Sequence, residues 1–314
     1  MATRKKTEQD NLKLPRKLKT PTYRRWRYNK RIKHPGPKLP SSWRIMRRSL
    51  AVVGQRKKLF AGIIVVYALL SLVFVKGFAQ SSQLVDTKAQ LQAIDEQGID
   101  TGITLLSNLM ASGGAASSQT AGAYQTVLII IMSLVVIWVL RRTYGVDRTK
   151  KIKIKTAFYN STAPLIPFLL LLGLFSIQLL PLMLGTGIYS AVSGNGLAAT
   201  IYETIAWGGA FFILATWSFY MITVTSLALY IVTLPDVQPV QALRSAKQLV
   251  QFRRWTVMRK ILFLPAVLFI LTCVLMLPFV IWLTVIAEWV FFVYGLGVLV
   301  VVHAYMYQLY RELL

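Results

Sequence analysis

Between Ile261 and Leu309 the chain carries one formally charged side chain, Glu288. A helix crosses the hydrocarbon core of a bilayer with roughly 20 apolar residues. The stretch is therefore too long for one crossing and suits two, joined by a tight turn near Ala287 and Glu288. Four more apolar runs precede it: Leu59 to Val75, stopped by Lys76; Tyr124 to Leu140, closed by Arg141 and Arg142; Pro164 to Leu184; and Glu203 to Thr233. The last of these is long enough to tilt or to turn at Gly208 and Gly209. Backbone groups in hydrocarbon must find partners within the protein, which leaves helices and closed barrels. The runs are continuous Leu, Val, Ile and Phe and lack strand alternation, so helices are expected. At 55% hydrophobic and 15% charged residues, the composition agrees. The predicted fold is an all-α, polytopic transmembrane helical bundle of six spans.

Charge sets the expected orientation. All but Lys76 and Lys88 of the 36 Lys and Arg residues fall in 1–58, 141–155, 234–260 and the tail after the last span. Positive residues stay on the cytoplasmic side, so both termini are expected there, in a multi-pass protein of a bacterial cytoplasmic membrane. Asp86, Asp95, Glu96, Asp100, Glu203 and Glu288 fall on the other side. The net charge of +25 is first a topological signal and second an attraction to anionic lipid.

Residues 1–40 form a basic, apolar-poor tail expected to be disordered. Within it Arg24, Arg25, Trp26 and Arg27 interleave an aromatic with cations, a pattern that fits lipid headgroups; stacking on ribosomal or other nucleic acid is the alternative. After Pro40, Ser41 or Ser42 is placed to cap an amphipathic helix over 41–58, whose Trp43, Met46, Leu50 and Val53 recur at helical spacing beside Arg47 and Arg48. Residues 59–314 make the bundle. It includes an outer helical segment, 79–123, that ends in a Gly, Ala and Ser linker, and an inner helix over about 238–260. In that inner helix Leu243, Ala246, Val250 and Val257 share a face expected to lie on the membrane, with Arg253, Arg254 and Trp255 at its end. The lipid or partner contacts expected on these grounds are Arg24, Arg25, Trp26, Arg27, Trp43, Arg47, Arg48, Arg253, Arg254 and Trp255.

The stretch PVQALRSAKQLVQFRRWTVMRKILFLPAVLF, with Ala242, Leu243, Ser245, Leu249, Val250 and Trp255 leading from a Pro-bounded turn into a span, resembles bacterial six-helix membrane proteins of the glycerophosphodiester phosphodiesterase membrane-domain type. IKIKTAFYNSTAPLIPFLLLL is similar in style. The resemblance implies a helical bundle that accompanies an enzyme or envelope process without performing the chemistry itself.

The inventory of reactive groups is thin. Cys273 stands alone, and His34 and His303 lack the paired spacing of a metal motif, so no catalytic group, metal or cofactor is expected. His303 suits an interhelical hydrogen bond. Gly295 and Gly297 suit close helix packing, and the hydroxyls of Thr223, Thr225 and Ser226 suit bonds to neighbouring helices. The functional expectation is a non-enzymatic integral membrane protein with an accessory or organising role in an envelope process. It would contact anionic lipids and an unidentified membrane or envelope protein. The alternatives are a small transporter or permease subunit, with its site among the third to fifth spans, and a ribosome-associated insertion factor.

Overall fold

The computed structural model describes residues 39–75, 119–145, 153–194, 200–235, 237–282 and 284–314, and every element among them is an α-helix. In chain order these are α1 (Ser42–Gln55), α2 (Lys57–Phe74), α3 (Gln119–Tyr144), α4 (Ile154–Ser161), α5 (Leu165–Gly194), α6 (Ile201–Ile231), α7 (Pro239–Val250), α8 (Arg254–Trp282) and α9 (Thr284–Leu313). Six of them, α2, α3, α5, α6, α8 and α9, are long and apolar enough to cross a membrane. The chain is a multi-pass membrane protein of six spans; α8 closes at Trp282 and α9 opens at Thr284, so Ala287 and Glu288, where the turn was expected, lie within α9. The tail with Arg24 to Arg27 and most of the outer segment 79–123 lie outside the described residues.

At the centre stands α3. From Met132 to Leu140 all its residues but Trp138 are buried, because α2, α4 and α9 pack around it. The hairpin of α5 and α6 is different: α5 leaves Ile166, Leu170, Ile177, Met183 and Leu184 exposed, as a lipid-facing helix does. Polar groups hold the hairpin together. Ser218 Oγ donates to the Gln178 carbonyl at 2.6 Å and Thr225 Oγ1 to Gln178 Oε1 at 2.7 Å. Thr223 and Ser226 bond backbone carbonyls within α6. Gln178→Leu is expected to lower stability by about 0.6–2 kcal/mol, the range of intramembrane hydrogen bonds. If the Gln178–Thr225 bond is the cause, thermal unfolding in detergent will show Thr225→Val adding little on top of it.

Several sequence expectations are corrected. Gly208 and Gly209 do not interrupt the fourth span: α6 runs unbroken from a capping box, in which Glu203 N–H donates to Thr200 Oγ1 at 3.4 Å and Thr200 N–H to Glu203 Oε2 at 3.1 Å. That box also gives Glu203 a local structural role. Pro164 just before α5 and Pro167 in its first turn mark the start of that helix, where a proline loses no helical bond. Gly295 and Gly297 make no close packing: a Cβ at either would meet no atom within 4 Å. Close approaches lie instead at Gly62, where a Cβ would stand 2.5 Å from the end of the Ile154 side chain, and at Gly185 in the hairpin, where it would stand 3.2 Å from Phe211 and 3.4 Å from Leu214.

The two amphipathic helices turn their apolar faces inward, into protein. Expected as one helix over 238–260, the inner segment breaks at 251–253. Its first part, α7, buries Ala242, Ala246, Leu249 and Val250 against α6, and Arg244 and Lys247 point away. In α1, capped by the Ser41 side chain, the buried residues are Ile45, Met46 and Ser49. Trp43 and Leu50, from the expected stripe, are exposed. The reason is a neighbour that periodicity does not register: α1 lies against the end of α9, which covers the side centred near Ile45 and Ser49. A break at Arg56 separates α1 from the first span.

Candidate membrane-interface site

The described Lys and Arg residues gather at one end of the bundle. They lie in or beside α1, α4 and α7, at the start of α2 and α8, and at the close of α3 and α9. Three anchors draw these parts together. Arg141 donates to the Thr233 carbonyl at 2.6 Å, joining the ends of α3 and α6. Lys260 Nζ donates to the Pro40 carbonyl just before α1, and the Lys260 carbonyl accepts from Tyr305 Oη at 2.8 Å. The third anchor forms a cleft.

That cleft, of about 450 Å³, lies between α1, the end of α3 and the end of α9, and is lined by Arg48, Gln55, Tyr144, Gln308, Arg311 and Glu312 with Ala51 and Val52. A polar chain orders its floor. Arg48 Nη1 and Gln308 Nε2 both donate to Glu312 Oε1 at 2.8 Å, and Tyr144 Oη donates to Gln308 Oε1 at 2.7 Å. Above the Tyr144 ring the Arg311 guanidinium stands 4.5 Å from the centroid. The spacing Gln308, Arg311, Glu312 places all three on consecutive turns of α9, so one helix end supplies most of the chain. Arg48 offers one of its several N–H donors to Glu312, and its side chain remains 53% exposed. Two guanidiniums against one carboxylate leave the cleft net positive. A phosphate oxygen is the natural acceptor for such forked donors.

An aromatic rim lies at the same end. Trp43 on α1, together with Phe252 and Trp255 at the turn into α8, is exposed, and Arg44, Arg47 and Arg259 are exposed nearby in sequence. Phe252 has a φ of 68°, the left-handed region that bulky side chains avoid, and the turn it makes carries the chain from α7 into α8. Trp, Phe and Arg in this mixture suit the headgroup layer, where rings sit among carbonyls and cations meet phosphates.

Of the expected contact residues, the structure brings Arg48 into the cleft and places Trp43 and Arg47 on the outward side of the same helix. Arg253, Arg254 and Trp255 belong to a separate part of the rim. Arg254 packs its guanidinium 4.8 Å from the Tyr220 ring and is half-buried, so it is a tie between α8 and α6 more than an open cation. Arg24, Arg25, Trp26 and Arg27 lie outside the described residues. Sequence reasoning missed Tyr144, Gln308, Arg311 and Glu312. A short polar cluster closing an otherwise apolar last span was the available signal. No known family, no characterised protein and no solved structure matches this chain, so the reading of the cleft rests on its own chemistry.

Proposed function

We propose that this protein is a non-enzymatic accessory component of a bacterial cytoplasmic membrane, with both termini cytoplasmic, that holds anionic lipid headgroups at its basic end and organises an envelope process there. The observation that carries this reading is the convergence of Arg48 and Arg311, from two helices far apart in sequence, on one net-positive cleft at the end of the bundle that also exposes Trp43, Phe252 and Trp255. Fixed guanidiniums at the depth of headgroup phosphates favour anionic lipids by about 1 kcal/mol per basic side chain. A permease subunit would need polar groups left open among the third to fifth spans. The hydroxyls of Thr223, Thr225 and Ser226 are instead engaged in hydrogen bonds that hold helices.

Two measurements test the proposal. Native mass spectrometry of the full chain in mild detergent, offered equal phosphatidylglycerol and phosphatidylcholine, is expected to show preferential retention of the anionic lipid, weakening as salt rises. Equal retention removes the headgroup reading. Affinity purification from the native membrane is expected to bring down a stoichiometric membrane or envelope protein. A chain that comes alone, and whose vesicles pass small solutes, would be a transporter.

A further inference from the structure

A second cavity lies inside the bundle, away from the basic cleft. It has a volume of about 420 Å³ and is bounded by α2, α3, α8 and α9. Along α9 its lining runs from Phe291 to His303, about 18 Å by the helical rise. Ile129, Leu268, Leu296, Leu299 and Val302 make its wall mainly apolar. Such a wall favours an apolar guest, with Ser71, Gln125, Ser133 and Thr272 as polar groups along its border. Gly295, exposed at its side, leaves it wide, since a Cβ there would meet nothing within 4 Å.

One end of the groove is chemically distinct. His303 Nδ1 lies 2.9 Å from Tyr230 Oη, the bond that joins α6 to α9. Tyr230 Oη has no other acceptor among the described residues, so it donates to Nδ1, and the neutral imidazole carries its own proton on Nε2. No enclosed side-chain nitrogen or oxygen among the described residues lacks a partner, and His303 has no second one. Nε2 is therefore reachable through the cavity that His303 lines. It presents one N–H donor at the end of an apolar groove, close to the middle of the last span.

We infer that this groove binds a single-chain, uncharged lipid whose chain lies along α9 and whose oxygen accepts from His303 Nε2. Two chains exceed the volume, a charged head has no counter-ion here, and a plain hydrocarbon leaves the donor unsatisfied.

The test uses the purified full chain in detergent micelles and a photoreactive diazirine analogue of palmityl alcohol. After illumination, cross-links are expected on peptides of α3, α8 and α9 that line the groove. Unlabelled palmityl alcohol is expected to compete about tenfold better than hexadecane, the value of one buried hydrogen bond. His303→Leu should remove that difference between competitors. Gly295→Leu, whose Cβ would meet nothing within 4 Å, should fill part of the groove and abolish the cross-links, with the protein still monodisperse and its thermal stability kept. The inference is overturned if label falls equally on the lipid-facing side of α5, if the two competitors are equal in the unsubstituted protein, or if Gly295→Leu is labelled like the original.

Discussion

Ile45→Asp is expected to release α1 from the bundle while the six spans stay folded. Ile45 is fully buried where α1 meets α9, and only two residues away Trp43 is 59% exposed. Removing a buried large aliphatic side chain costs about 2–5 kcal/mol. Placing an unpaired carboxylate in its position adds to that. The remaining ties of α1 are weaker: the Arg48–Glu312 pair is partly exposed, and such pairs contribute about 0–1 kcal/mol. The Lys260 bond to the Pro40 carbonyl holds the start of the helix and not its face. Limited proteolysis should therefore cut within 42–55 in the variant and spare the spans, with helical content falling only by the contribution of α1. Trp43→Ser, on the opposite side, should leave protease resistance unchanged, within about 0.5 kcal/mol for a surface position. Equal behaviour of the two variants would mean that α1 lies on lipid alone.

Arg48→Gln combined with Arg311→Gln is expected to reduce retention of phosphatidylglycerol about thirtyfold, from about 1 kcal/mol per basic side chain at two positions. Glutamine removes the charge and shortens the side chain while keeping an N–H donor, and Glu312 retains Gln308 as a partner at 2.8 Å. Thermal stability should move little, because the lost ion pair is solvent-screened. The control is Arg244→Gln with Lys247→Gln on the outer face of α7, which removes the same charge from the same end. If the control weakens lipid retention as much as the cleft variant, the preference reflects overall charge and the cleft has no special part in it.

What could be read from the chain alone is what depends on local quantities. Span count follows from the length of apolar runs, because each helix must satisfy its own backbone in hydrocarbon, and six helices of that kind are present. The Ser41 cap is likewise local and was legible, whereas the turn expected near Ala287 and Glu288 was not, since both residues lie within α9. His303 was legible as an interhelical hydrogen-bonding residue because a lone polar ring in an apolar run has few other stable uses. The faces of α1 and α7 were not legible in the same way. Periodicity says that a helix has an apolar side and a polar side, but protein and lipid tails are equally apolar partners, so it does not say which of them the apolar side meets. Tertiary packing decided that α9 takes Ile45 and Met46, that α6 takes Ala242 and Ala246, and that Trp43, Phe252 and Trp255 stay outside. It also decided that Arg48 and Arg311, separated by most of the chain, share one cleft, and that Gly295 borders a groove and not a helix contact. Hydrophobic length is a property of one segment, whereas a cleft or a groove exists only in the distances between segments.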